Sequence, residues 1–167
     1  MSDFVKSATT STPVAKTQAD LISMLGRYGA TGFGFRRQGS IVSVTFHLPR
    51  AGADDQTVEI PVDLTTVRAK LDGPAMVAER RRQRQATAVS DDQTERVAWR
   101  VLYLWVDAAL SAVSLGAQSI EEAFFAHLVV TSEGGKPERL VEYMAKLAAA
   151  SGNMLPSPTA RRLGSGS

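Results

Sequence analysis

The chain has no cysteine among its 167 residues, and only two histidines and two tryptophans. Missing thiols exclude disulfide cross-links, thiolate nucleophiles and the commonest structural zinc sites, and they fit a reducing, cytoplasmic setting. No stretch reaches the roughly 18 uninterrupted apolar residues of a membrane span, so no membrane partner is expected. Met1 to Thr17 is rich in Ser and Thr and lacks the apolar block of a secretory signal. Neither charge sign dominates: 19 Lys and Arg against 17 Asp and Glu leave a formal +2, and the total argues for no polyanionic partner. His47 and His127 share no local ligand spacing with each other or with carboxylates, so neither a metal nor a cofactor is expected. Both read more simply as packed or outward-facing side chains. No nucleophile–base pair can be nominated, and the expectation is a protein that is not an enzyme.

What is present suffices for one core. With 44% hydrophobic residues, a chain of this length buries about two-thirds of its unfolded surface in a single domain. We assign residues 17–152 to that domain, 1–16 to a disordered leader and 153–167 to a flexible tail. The closing Leu163-Gly164-Ser165-Gly166-Ser167 reads as an appended linker.

The periodicity predicts an α+β fold. Thr17 caps a first helix carrying Leu21, Leu25 and Tyr28 on one face, and Gly29 stops it. Gly32 to Phe35 is extended, with Gly34 marking a bulge or close backbone approach. Gln38-Gly39 turns the chain into Ile41 to Leu48, where Val42, Val44, Phe46 and Leu48 alternate with polar residues. After a loop over Arg50 to Asp55, Val58, Ile60 and Val62 alternate again, and Pro61 places that strand at an edge. The result is a three-stranded antiparallel β-meander packed against a long central helix with additional shorter helices.

That central helix runs from Gln93 to near Gly116. Val97, Val101, Leu102, Leu104, Trp105, Ala108, Ala109 and Val113 form its broad apolar face, with Trp105 in the middle. Trp99, Leu102 and Val106 widen the apolar surface beyond what the other elements cover, which favours a homo-oligomer. Ser119 and Glu122 spell a capping box for the next helix. Pro137 opens a last helix that turns Leu140, Val141, Met144 and Leu147 inward. Between strand and central helix, Leu64, Val67 and Leu71 suit one helix and Gly73-Pro74 breaks it. Whether the basic segment 73–92 is ordered stays open.

The arginines carry the clue to a partner. Arg80, Arg81, Arg82 and Arg84 fall within one short run, Arg36 and Arg37 are adjacent at the hairpin tip, and Arg96 and Arg100 lie on the polar stripe of the central helix. If these groups share a face, they form a phosphate-binding surface on which Phe33 and Phe35 stack bases, the arrangement of single-strand binders. The favoured partner is then single-stranded DNA or RNA. The alternative is an acidic protein surface met by the same arginines, as in an inhibitor of a host defence complex or an assembly subunit.

The run Gly26-Arg27-Tyr28-Gly29-Ala30-Thr31-Gly32-Phe33-Gly34-Phe35, then Val44 to Pro49, Trp99-Arg100-Val101-Leu102 and Ser119-Ile120-Glu121-Glu122-Ala123-Phe124, resembles a group of small uncharacterised proteins of bacteriophages and integrated mobile elements. The resemblance covers most of residues 17–156. The group has no assigned activity, so it implies a setting in phage or mobile-element DNA metabolism and transfers no functional residues. The stretch Val106 to Ser114 departs from the group, which carries more lysine and glutamate there.

Overall fold

Alternation sets the sheet. Val42, Val44, Phe46 and Leu48 point to one side of a strand, and all four are buried in the computed structural model, which describes residues 7–50, 53–83, 88–132 and 134–150. Their strand, β2 (Ile41–Arg50), is the middle of an antiparallel meander between β1 (Thr31–Gln38) and β3 (Ala53–Asp63). Gly39, at φ 61°, makes the β1–β2 turn, and the register shifts between Thr31 and Gly34, where the glycines predicted a bulge. The expected loop at Arg50 to Asp55 is strand where it is described, with Arg50 paired to Ala53.

The first helix, α1 (Val14–Gly26), starts earlier than its sequence reading. Thr17 is not its cap. It is buried one turn inside, with Thr17 N–H donating to the Pro13 carbonyl, because Val14 joins Leu21 and Leu25 on the apolar face. Nor is the preceding segment loose where it is described. Ser7 and Ala8 are buried, and the Gln93 side chain donates to the Ala8 and Thr10 carbonyls at 3.2 and 3.1 Å.

After the sheet, Asp63 caps α2 (Leu64–Leu71), accepting from the Thr65 amide at 2.9 Å. Gly73-Pro74 then opens a second short helix, α3 (Pro74–Arg82), so the basic run is helical as far as Arg82. The long helix is α4 (Asp91–Ser114), capped by Ser90. Gly116, at φ 70°, ends it: its amide donates to Val113 and that of Ala117 to Ala112, both at 3.0 Å. The Ser119–Glu122 capping box opens α5 (Ile120–Phe124), followed by a 3-10 turn over Phe125–His127. A small hairpin of β4 (Val129–Thr131) and β5 (Pro137–Arg139) precedes α6 (Leu140–Ala150). Pro137 therefore lies in a strand and not in the last helix.

Helix α4 organises the core, packing against α1, α2, α5 and β3. Its buried residues are Thr94, Val97, Ala98, Trp99, Leu102, Val106 and Leu110. This corrects the sequence assignment in part: Val97 and Leu102 are buried as read, but Trp99 and Val106 join them in the core, while Val101, Leu104 and Trp105 are the uncovered ones. Apolar residues recur at helical spacing on two sides of α4, and the spacing alone does not say which side meets the sheet. By length and composition α4 is apolar enough to cross a bilayer. Here its inner side fills the core of an α+β domain.

Candidate interaction surfaces

Strand geometry separates the two hairpin arginines. Arg37 pairs with Val42 and shares the core face, reaching over the sheet end to Glu95 of α4 at 2.6 Å. Arg36 pairs with Ser43 on the opposite face and bonds Glu59 of β3 at 2.8 Å. Neighbours on a strand point to opposite sides, so the pair cannot act as one patch. Beside Arg36, the outer sheet face, β5 and α6 frame a cleft of about 300 Å³. Two of its cations are matched, Arg139 with Glu142 and Lys146 with Glu138, and Lys136 also lines it.

Several other arginines are occupied as well. Arg80 is only 5% exposed, held on the inner side of α3. Arg82 lies 3.5 Å from Glu79, and Arg96 lies 2.6 Å from Asp92. Arg100 spreads its guanidinium over the Tyr103 ring, 4.5 Å from the centroid. Arg68 bridges Asp72 and Asp91, both at 2.9 Å. Arg81 is exposed at the end of α3, and Arg84 lies outside the described residues. Of the expected arginine face, Arg36 and Arg37 are split between the two sides of the sheet, while Arg80 and Arg96 line one cleft with Ser90 and Gln93.

Phe33 and Phe35 turn partly inward. Both are half-buried against the main core, and Phe35 meets Trp99 edge-on. The bulged start of β1 instead accommodates His47. Gly32, at φ 61°, lies under the imidazole, whose Nδ1 hydrogen-bonds Thr57 Oγ1 at 3.0 Å.

The feature that sequence reasoning misplaced is on the solvent side of α4. Val101, Leu104, Trp105 and Ala108 are exposed in succession, and Leu115 continues the line at 85% exposure. Trp105, 39% exposed, rests its inner edge on Phe124 and His127, with ring centroids 5.8 and 5.2 Å away. The 3-10 turn carrying His127 adds Phe125, 59% exposed, and α6 packs against the same turn. Helix α6 has no buried residue, and its Val141, Met144 and Leu147, expected to face inward, are exposed.

His127 sits where these elements meet. Burial, and secondarily the charge of Arg139, hold its pKa below the ordinary 6.5, although the ring hydrogen-bonds to the Glu59 backbone. Its Nδ1 is buried without a hydrogen-bond partner among the described residues. No three His, Asp or Glu side chains among those residues are placed to hold a metal ion. What this arrangement can do physically is bury apolar surface against another molecule. No family model, curated protein or solved structure matches the chain.

Proposed function

We propose that this chain is a non-enzymatic, cytoplasmic protein-binding module that works through the solvent side of α4. One observation carries the reading: Val101, Leu104, Trp105 and Ala108 lie exposed on a helix whose other side already fills the core. Exposed aliphatic and aromatic side chains in a row gain free energy on burial, roughly 25 cal/mol per Å² of apolar surface. Among the described residues, acidic side chains pair with Arg36, Arg37, Arg68, Arg82, Arg96 and Arg139, which favours a partner surface that is apolar at its centre rather than acidic throughout. An assembly subunit or an inhibitor in phage or mobile-element biology fits this description.

A second reading, binding of single-stranded nucleic acid, keeps one favourable observation, the exposed Arg81 and Arg82 at the end of α3. The test compares the full chain with two variants, Leu104→Lys and the triple change of Arg81, Arg82 and Arg84 to Gln. Protein capture and the mobility of labelled oligonucleotides are measured at two salt concentrations. The protein-binding reading expects capture that Leu104→Lys abolishes and that salt changes little. Oligonucleotide binding that falls steeply with salt and vanishes in the triple variant, with capture indifferent to Leu104→Lys, would put nucleic acid first.

A further inference from the structure

We infer that the cleft between α3 and the start of α4 binds a phosphomonoester, its dianion held by Arg80 and Arg96. The cleft measures about 430 Å³, within the roughly 300–1,000 Å³ of small-ligand sites, and its walls are residues 8–11, the inner side of α3 and residues 88–96. Its charge is one-sided. Arg80 and Arg96 line it and, among the described residues, no Asp or Glu does, whereas three other clefts each carry a carboxylate, from Glu59, Asp107 or Asp91. Helical spacing puts an arginine there. Arg80 follows Met76 by one turn, so its stem extends the side of α3 that joins Ala8, Val89 and Val97 in a second small core, and the residue is 5% exposed. A guanidinium does not lose its proton in a protein, so the fold keeps a fixed positive charge at this wall.

The neutral groups of the cleft are set as donors. Ser90 Oγ accepts from the Gln93 amide at 3.0 Å, and Thr10 Oγ1 accepts from the Thr12 amide at 3.2 Å. Neither hydroxyl donates to another described residue, so each keeps its O–H for a ligand oxygen. The walls are fastened to each other by the Gln93 side chain, which donates to the Ala8 and Thr10 carbonyls. Two fixed cations match the roughly −1.5 to −2 charge of a phosphomonoester better than the single charge of a backbone phosphodiester. No aromatic ring lines the cleft, so a nucleobase has nothing to stack on and recognition centres on the phosphoryl group. Asp92 competes for one cation: it takes a terminal nitrogen of Arg96 at 2.6 Å, from a fork that carries five N–H groups.

Calorimetric titration of the full chain at low salt, with inorganic phosphate, ribose 5-phosphate and ribose as probes, tests the site. Both phosphates should bind saturably, and ribose should not bind. Arg96→Gln should weaken binding about tenfold. Asp92→Asn should strengthen it severalfold by releasing Arg96. A general loosening of the fold would not give opposite signs at two neighbouring positions, and circular dichroism checks that both variants are folded. Two sources can offer the group, a small phosphorylated compound and the 5′ end of a nucleic acid. Ribose 5-phosphate binding as tightly as a 5′-phosphorylated oligonucleotide assigns the site to the small compound. Much tighter binding of that oligonucleotide, lost when its 5′ phosphate is removed, assigns it to the nucleic-acid end. No saturable binding of either small phosphate up to millimolar concentration overturns the inference, and so does binding that Arg96→Gln leaves unchanged. None of these measurements involves the Leu104 side of α4, so their failure leaves the protein-binding reading standing.

Discussion

The Trp99 indole meets the Phe35 ring edge-on, centroids 5.4 Å apart and planes at 79°, and this contact joins the central helix to the first strand. The chain's other tryptophan, Trp105, makes comparable ring contacts from the outside of the same helix. Two residues of one type, less than two turns apart, thus differ in what they stabilise. Trp99→Ala removes a side chain that is 2% exposed and leaves a cavity, and should cost about 3–5 kcal/mol. Trp105→Ala loses two ring contacts and partial burial, and should cost about 1–2 kcal/mol. Urea unfolding of both variants checks the ordering. Equal costs would mean that α4 is rotated relative to the sheet.

Gly32 should resist substitution. A Cβ there would lie 2.0 Å from His47 Cδ2, and its φ of 61° is unfavourable for any L side chain. Gly32→Ala should therefore cost about 1–3 kcal/mol. Adding His47→Ala should recover only the steric part, since the backbone cost remains. Thermal midpoints of the single and double variants separate the two contributions. Full recovery in the double variant would mean that the backbone strain is negligible.

The capping box of α5 gives a smaller effect. Ser119 Oγ accepts from the Glu122 amide at 3.1 Å, and the Glu122 carboxylate accepts from the Ser119 amide at 2.7 Å. Ser119→Ala should cost about 1 kcal/mol, and Ser119→Asp should retain most of the stability. Because α5 carries Phe124 into the core, near-ultraviolet circular dichroism should report loosening around Trp105 in the alanine variant.

Stability should fall with pH in two stages. His127 is held neutral, so its folded pKa lies below the unfolded value of 6.5. The unfolded chain then takes up the proton first, and stability present above that value is lost as pH drops. Further down, Asp63 is lowered from 3.8 mainly by hydrogen bonds from Thr65, and Glu142 from 4.5 mainly by the Arg139 hydrogen bond. Their contributions are present above those ordinary values and disappear as pH falls past them. His127→Gln should flatten the first stage and leave the second. An unchanged midpoint between pH 7 and 5 in the parent would show that burial of His127 is not maintained.

The sequence by itself determined the elements whose signals are local. Alternation through Val42 to Leu48 and Val58 to Val62 requires a pleated strand with one buried face, Gly39 and Gly116 permit the left-handed backbone at two chain reversals, and Ser119 with Glu122 satisfies the amides at a helix start. Each of these depends on residues within a few positions of one another. Which side of α4 turns inward depends on partners far away in the chain. Helical spacing is met both by Trp99-Leu102-Val106-Leu110 and by Val101-Leu104-Ala108, and only the first set finds α1, Phe35 and the sheet opposite it. The arginines divide for a related reason. Their clustering in sequence says nothing of which face each takes, and the pleat sends Arg36 and Arg37 to opposite sides, where Glu59 and Glu95 neutralise them. Tertiary packing decided what is exposed, because burial is a property of pairs of surfaces, and a single segment carries only one member of each pair.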